Sequence, residues 1–456
     1  MVFCRAYQKN DEKIIFYICL MPQKDLPGEI GMSNLIQKLR LILENERQLF
    51  KITAGISIIW IIAQIVLIAC FWGYPQKDDM AHYISAAERC FNAGEWYPMA
   101  EDVYLNYIVT PGLINYLILQ LQIFGTVNFN AVLNLFLNFA MLLEVYYLGK
   151  KFFSKRIGLI SMSIFCLLPS NLLIVLGANT ENTFLFLCLS ALCLVFSGKW
   201  KYIAIAALLF ALANWVRPLA IIFLFASAVY FFIIKTRFYN YIALLIPYIL
   251  ALFIIGTVTE KKIGYFVYQS TTSGFNLLMT SNDNATGAVV FPSSNDTVTF
   301  FENHEKTTFE EKDFIWRERS FKWIKEHPAK FAYLYFRKIF LLYASDSWSF
   351  GSHFQWDSGI TKHGFTGILK DKILIIKALR YSWLSIPYYL AFLFFFYALW
   401  AHRKEIFSVK SIFLVILITG TIITCIFPAM SRYHYPFIFV IIIYGAWGVD
   451  TLLRRD

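Results

Sequence analysis

Charged residues are scarce in this chain. Asp, Glu, Lys and Arg together make up 16% of its 456 residues, whereas hydrophobic residues make up 58%. So little charge excludes a soluble globular fold for most of the chain and predicts a polytopic membrane protein. The eight cysteines lie mostly inside apolar runs and lack the spacing of metal ligands, so we interpret them as small packing residues.

Acidic residues are fewer than basic ones, which leaves a formal net charge of +11. The basic residues lie in short turns between apolar runs rather than on one soluble face, which argues against nucleic acid as a partner. Aromatic residues reach 18% of the chain and suit lipid-facing surfaces and interfacial belts. The expected partner of most of the surface is therefore the lipid bilayer.

Apolar runs predict an all-α membrane fold of about ten transmembrane helices. The predicted spans lie near residues 52–72, 129–149, 157–176, 181–197, 201–216, 218–234, 240–258, 381–400, 410–428 and 434–453. Cationic turns near 150–156, 199–201, 235–237, 403–404 and 454–455 fall on one side of the membrane if both termini are cytoplasmic, as the positive-inside rule requires. We therefore expect a multi-pass protein of the cell membrane, either inner or plasma.

The predicted spans divide the chain into four parts. They are a cytoplasmic segment 1–51, a transmembrane module 52–258 with a long outer loop 73–128, an outer-face segment 259–380, and C-terminal transmembrane helices 381–456. Within the outer loop, residues 111–125 are apolar but too short to cross, so we predict a helix in the outer interface that Pro111 begins and Gly125 ends. In the outer segment, 270–299 is typical of loops and 310–335 of a helix.

Polar side chains gather at the predicted outer ends of the spans. The first loop supplies an acidic pair, Asp78 and Asp79, followed by His82 and Tyr83, and three short junctions supply Asn179, Glu181, Arg217, Arg432 and His434. A carboxylate near two arginines at the membrane boundary favours acid–base chemistry on an anionic, lipid-borne substrate. Our hypothesis assigns catalysis to Asp79 or Asp78, phosphate binding to Arg217, Arg432 and His434, and substrate contacts to His82, Tyr83, Asn179 and Glu181.

Each of these residues has a structural alternative. Arg217 and Arg432 can extend to lipid headgroups, and Glu181 can cap its helix or form a structural ion pair. Asp78 can cap a helix that starts near Met80.

The ordered motifs resemble those of the C-type-fold membrane glycosyltransferases, especially the bacterial family-39 group, which is similar to protein O-mannosyltransferases and the aminoarabinose transferase. The resemblance lies in Asp79-Met-Ala-His-Tyr83, the Pro-Gly start of the interfacial helix, Leu168-Pro-Ser-Asn171, Val216-Arg217-Pro218, Ser431-Arg432-Tyr-His-Tyr-Pro436 and Ile324-Lys-Glu-His-Pro328. It implies an inverting transfer from a polyprenyl-phosphate sugar at the outer face, with Asp79 as the base.

The chain departs from this family at two places. Met80 stands where a second acidic residue is often found, and Ile108, Val109 and Thr110 stand where the family often has a carboxylate before the interfacial helix. A divalent metal is therefore left without predicted ligands. The acceptor, whether a glycan, a lipid or a protein, is open.

Other classes remain alternatives. An O-antigen ligase or polymerase also uses a lipid-linked donor, and a transporter or flippase of lipid-linked glycans, or a non-catalytic scaffold, is a different class altogether. The clustering of charge at one face, without paired half-repeats, argues against transport. The sequence shows no Gly-rich nucleotide loop, which fits a lipid-borne sugar.

Overall fold

The structure is a computed structural model that describes residues 45–289, 306–349 and 383–454. Within these ranges the chain forms sixteen α-helices and no strand, apart from one isolated bridge between Ala288 and Ala429. The predicted all-α membrane fold is confirmed. Residues 1–44 of the segment predicted to be cytoplasmic, and the stretches 290–305 and 350–382 with the start of the eighth predicted span, lie outside the described residues.

The helices follow the order of the predicted spans. They are α1 (Glu46–Cys70), α2 (Asp78–Asn92), α3 (Pro111–Phe124), α4 (Asn130–Phe152), α5 (Lys155–Leu167), α6 (Pro169–Leu173), α7 (Thr180–Val195), α8 (Trp200–Val216), α9 (Ala220–Ile233), α10 (Phe238–Ile263), α11 (Ser273–Thr280), α12 (Phe309–Glu326), α13 (Pro328–Tyr343), α14 (Ile386–Ala401), α15 (Ser411–Thr424) and α16 (Ile438–Arg454). Short 3₁₀ turns join several of them, including Ser431–Phe437 before α16.

The ten predicted spans form helices of different lengths. In the described parts of the chain, four segments are long and apolar enough to cross a membrane: 46–70, 127–152, 238–263 and 431–454. The predicted span 157–176 is not one straight helix but a pair, α5 and α6, bent by 66° before Pro169, because proline cannot continue the hydrogen bonding of α5. The other five spans form apolar helices of 14–17 residues, so the total of about ten crossings stays a prediction.

Asparagine side chains of α4 bind backbone carbonyls that follow the bend between α5 and α6. Asn138 of α4 donates to the carbonyl of Asn171 at 2.7 Å, and Asn134 donates to the carbonyl of Gly177 at 2.9 Å. A break in a helix frees backbone carbonyls, which need partners where water is excluded. These bonds fix the chain between α6 and α7, and so the start of α7.

The helix predicted at 111–125 is present with the expected ends. Pro111 is its first residue and Gly125 follows its last in the left-handed conformation, with φ +69°. Its position is more buried than that of a helix lying on an interface: Asn115, for example, exchanges hydrogen bonds with the backbone of Tyr97 at 2.8 and 2.9 Å. The helix therefore packs as part of the protein core.

Two expectations for the outer segment need correction. Residues Ser273–Thr280, predicted as loop, form α11, because Phe275, Leu278 and Met279 pack with Trp316 and this tertiary burial outweighs the turn-forming composition. The single helix expected over 310–335 is two helices, α12 and α13, which meet at His327 and Pro328.

The outer segment packs against the first loop. The backbone N–H of Thr271 donates to the carbonyl of Ile108 at 2.9 Å, and Lys312 Nζ donates to the carbonyl of Tyr104 at 2.8 Å. The first loop and the outer segment are separated in the sequence by the rest of the predicted transmembrane module. These contacts bring them to one face of the molecule.

Candidate functional site

Four chain junctions meet at the candidate site. Glu181 lies in the first turn of α7, Arg217 follows the last residue of α8, Arg432 lies in the 3₁₀ turn before α16, and Asp79 lies in the first turn of α2. The sequence predicted each of them to lie near the outer face, and the structure brings all four side chains into contact.

Glu181 is the centre of the cluster. Its Oε1 accepts a hydrogen bond from Arg217 Nη1 at 2.7 Å and lies 3.3 Å from Arg432 Nε, while Thr180 Oγ1 donates to its Oε2 at 3.1 Å. Only 1% of the Glu181 side chain is exposed, against 14% for Arg217 and 17% for Arg432. A buried carboxylate requires such partners, so Glu181 holds the two arginines together.

Asp79 completes the cluster from the first loop. It forms an ion pair with Arg432 through Nη2, and 42% of its side chain remains exposed. Two carboxylates thus meet two guanidinium groups, and of the two acids only Asp79 faces solvent.

Tyrosine rings surround the charged groups. The guanidinium carbons of Arg217 and Arg432 lie 4.9 and 5.5 Å from the centroid of the Tyr433 ring, within the range of cation–π attraction. Burial raises the pKa of Tyr83, and the nearby Asp79 carboxylate raises it further. The sequence had not singled out Tyr433, although its place directly after Arg432 was a usable signal.

The residues at the start of α3 support the position of Arg217. Thr110 Oγ1 donates to the carbonyl of Val216 at 2.7 Å. A Cβ atom at Gly112 would lie 2.7 Å from the carbonyl carbon of Trp215, so only glycine allows α3 to approach the end of α8 this closely. The Pro-Gly motif therefore has a packing role beside the site.

The outer segment supports the turn that carries Arg432. The backbone N–H of Ala429 donates to the carbonyl of Gly287 at 3.0 Å, and the buried Lys338 donates to the carbonyl of Ile426 at 3.2 Å. Both contacts hold in place the short stretch of chain that leads to Arg432.

Other predicted site residues lie around this cluster or apart from it. Asp78 and His82 are exposed on α2, and within the described residues neither takes part in an ion pair. Asp78 does not cap a helix starting near Met80, because α2 begins at Asp78 itself. Asn179 is buried directly before α7, and its Nδ2 has no hydrogen-bond partner among the described residues.

His434 contacts a different set of groups. Its Nδ1 lies 2.9 Å from the carbonyl of Leu342 and must carry a hydrogen to donate there, while Nε2 lies 3.4 Å from Asp346 Oδ1. Asp346 Oδ2 accepts hydrogen bonds from the backbone N–H and hydroxyl of Ser170, at 3.1 and 2.8 Å. Asp346 was missed from the sequence, where no spacing linked it to His434 or Ser170.

A cavity of about 160 Å³ lies beside α2. Its lining includes Trp72, Tyr74, Gln76, Asn128 and Ala178. Gln76 precedes Asp79 by three residues, so the cavity lies next to the chain segment that carries the exposed acid.

Comparison with known proteins gives a distant structural likeness. No family model matches the sequence, and no curated protein is significantly similar to it. Among solved structures, the chain is similar to the oligosaccharyltransferase AglB of Archaeoglobus fulgidus in complex with an inhibitory peptide and a dolichol-phosphate, with a TM-score of 0.47 and 12% identity over 88% of this chain and 50% of that one. It is also similar to the oligosaccharyltransferase of the same organism tethered to an acceptor peptide with the sequon NVT, with a TM-score of 0.46 and 12% identity over 88% and 49%.

The chain spans about half the length of these oligosaccharyltransferases. They belong to the same broad class of membrane glycosyltransferase that the sequence motifs resemble. Likeness at this level shows neither the family nor the substrate of this chain. The evidence for a function is the chemistry of the site.

Proposed function

We propose that this protein is a membrane glycosyltransferase that moves a sugar from a polyprenyl-phosphate donor to an acceptor at the outer face of the membrane. The observation that carries the proposal is the cluster of Asp79, Glu181, Arg217 and Arg432, which four chain junctions bring together. Two guanidinium groups at a membrane boundary suit a lipid-borne phosphate, and a solvent-facing carboxylate beside them suits a base.

The proposed reaction inverts the anomeric carbon. Asp79 takes the proton of the acceptor hydroxyl or amine while the acceptor atom bonds to the anomeric carbon. The bond from that carbon to the phosphate oxygen breaks, and its electron pair stays on the departing polyprenyl phosphate. Arg217 and Arg432 stabilise the negative charge that develops there. Glu181 is too buried to meet an acceptor, which leaves Asp79 as the base.

The remaining residues take supporting roles in this proposal. His82 lies on the same helix as Asp79 and is exposed, so we assign it to contact with the acceptor, whereas Tyr83 and Asn179 are buried and we assign them to support of the cluster. His434 is fully buried against Asp346, so we assign it to support of the Arg432 turn rather than to direct phosphate contact. No residue is assigned to a metal.

We also propose a role for each of two parts of the chain. The membrane module binds the donor, and the outer segment, which packs on the first loop through Thr271 and Lys312, helps to select the acceptor. A family-39 type of enzyme with cytoplasmic termini in the cell membrane is the arrangement that the sequence motifs favour.

Donor cleavage by purified protein tests the function. We expect release of radiolabelled sugar from a polyprenyl-phosphate donor, and weaker donor binding in Arg217→Lys and Arg432→Lys, because a point charge replaces a planar fork. Arg237→Lys, at a turn predicted to be cytoplasmic, is the matched control and should behave as wild type. Normal donor binding in both site variants would reduce the two arginines to structural partners of Glu181 and Asp79.

A further inference from the structure

The charges of the site balance in the free protein. Glu181 and Asp79 each carry one negative charge, and Arg217 and Arg432 each carry one positive charge. An incoming phosphate therefore meets no surplus positive charge. For the arginines to bind it well, one of the carboxylates must leave the cluster.

The two carboxylates differ in their freedom to leave. Glu181 is 1% exposed and is held by Arg217, Arg432 and Thr180, so its release would leave buried charges without their partner, which is strongly unfavourable. Asp79 is 42% exposed, and among the described residues Arg432 is its one ion-pair partner, so its carboxylate can turn into water at little cost.

Arg432 presents a suitable edge for the exchange. Its Nη2 donates to Asp79, the partly exposed acid, while its buried Nε lies 3.3 Å from Glu181 Oε1. Nη2 is therefore the group that a phosphate oxygen can reach once Asp79 has left, because phosphate and carboxylate oxygens both accept charge-assisted hydrogen bonds from a guanidinium N–H.

We propose that Asp79 occupies the phosphate-binding site of the free enzyme and that the donor phosphate displaces it from Arg432. This inference rests on the proposed function and adds how its site is controlled. A donor phosphodiester carries one negative charge, the same as the carboxylate that leaves, so the cluster stays neutral after the exchange. The displaced carboxylate becomes free to accept the acceptor's proton, so the base is available only when donor is bound.

Binding of a lipid phosphodiester to Asp79→Asn tests this exchange. The probe is the methyl diester of undecaprenyl phosphate in detergent micelles, with affinity measured by thermophoresis. Because the variant removes the competing charge, we expect its Kd to be lower than that of wild type by about tenfold. The neighbouring Asp78→Asn, which changes an exposed acid outside the cluster, should bind as wild type does.

Each outcome decides something different. An unchanged or higher Kd in Asp79→Asn would overturn the displacement while the proposed function stands. Failure of wild type and both variants to bind the diester at all would overturn the displacement and the proposed function together.

A chemical measurement on the unaltered protein covers the case in which Asp79→Asn does not fold. Labelling of carboxylates with a water-soluble carbodiimide and an amine, read by mass spectrometry, should increase at Asp79 when the diester is added and stay constant at Asp78. Labelling of Asp79 that stays level or falls would contradict the displacement.

Discussion

Arg217 donates a hydrogen bond of 2.7 Å to Glu181, a residue 36 positions earlier in the chain. This bond joins the end of α8 to the start of α7 where only 1% of the glutamate is exposed. Since the same carboxylate oxygen also lies 3.3 Å from Arg432, one buried acid sets the spacing of both arginines. The distance between the two guanidinium groups is therefore a property of Glu181.

Glu181→Ala should lower stability by about 3–5 kcal/mol, because two cations lose their buried counter-charge. Thermal unfolding of the detergent-solubilised protein measures this. Glu101, which is 66% exposed and pairs with Arg89, provides the control, and Glu101→Ala should change stability by about 1 kcal/mol or less. Equal effects of the two substitutions would show that Glu181 is not a structural centre.

Asp79→Asn should reduce sugar transfer by a factor of roughly 100 or more while the protein still folds, because the amide cannot accept the proton. Asp78→Asn should retain most activity, since Asp78 is exposed and lies outside the charged cluster. Transfer rates with a radiolabelled donor separate the two. Loss of activity in Asp78→Asn alone would move the base by one residue.

Lys338→Met should stabilise the protein at neutral pH by an amount on the order of 1–3 kcal/mol. Lys338 is fully buried, and burial lowers the pKa of its amine. In the unfolded chain Lys338 therefore keeps its proton at pH values where the folded chain has lost it. The free-energy cost of burying the charged amine is full below the pKa of the folded state. It fades as the pH rises towards about 10.4, the pKa of lysine in the unfolded chain.

The pH dependence distinguishes this cause from a change in packing. The gain from Lys338→Met should shrink as the pH rises through that range, in melting curves recorded at several pH values. Lys322→Met, on the exposed face of α12, is the control and should shift the melting temperature little at any pH. A gain independent of pH would mean that the buried charge is not its source.

Cysteine labelling tests the position of α3. Gln122 is exposed and Asn115 is buried through its bonds to Tyr97, so Gln122→Cys should react with an impermeant reagent added from outside and Asn115→Cys should stay protected. Intact cells or oriented vesicles provide the measurement. Reaction of Gln122→Cys from the cytoplasmic side would show that α3 crosses the membrane.

The limits of sequence-based prediction show at particular elements. The span predicted over 157–176 has the hydropathy of one helix but bends before Pro169, and the carbonyls of Asn171 and Gly177 beyond the bend accept hydrogen bonds from Asn138 and Asn134 of another helix. Likewise the turn-forming residues of Ser273–Thr280 fold as a helix because Trp316 covers its apolar side chains. In both cases residues distant in the chain supply contacts that the local sequence does not reveal.

The sequence by itself determined where most of the apolar helices lie and that Asp79, Glu181, Arg217 and Arg432 lie near helix ends. This follows from local physics, since the transfer of apolar side chains from water and the rules for proline and glycine act over a few residues. Only the tertiary structure decided the pairing. Asp79 and Arg432 are 353 positions apart, and Asp346 meets His434 through an outer segment that no hydropathy pattern connects to α16. Partners of buried charges are chosen by the packing of whole helices, because a charge removed from water must bind whichever opposite charge the fold brings within reach.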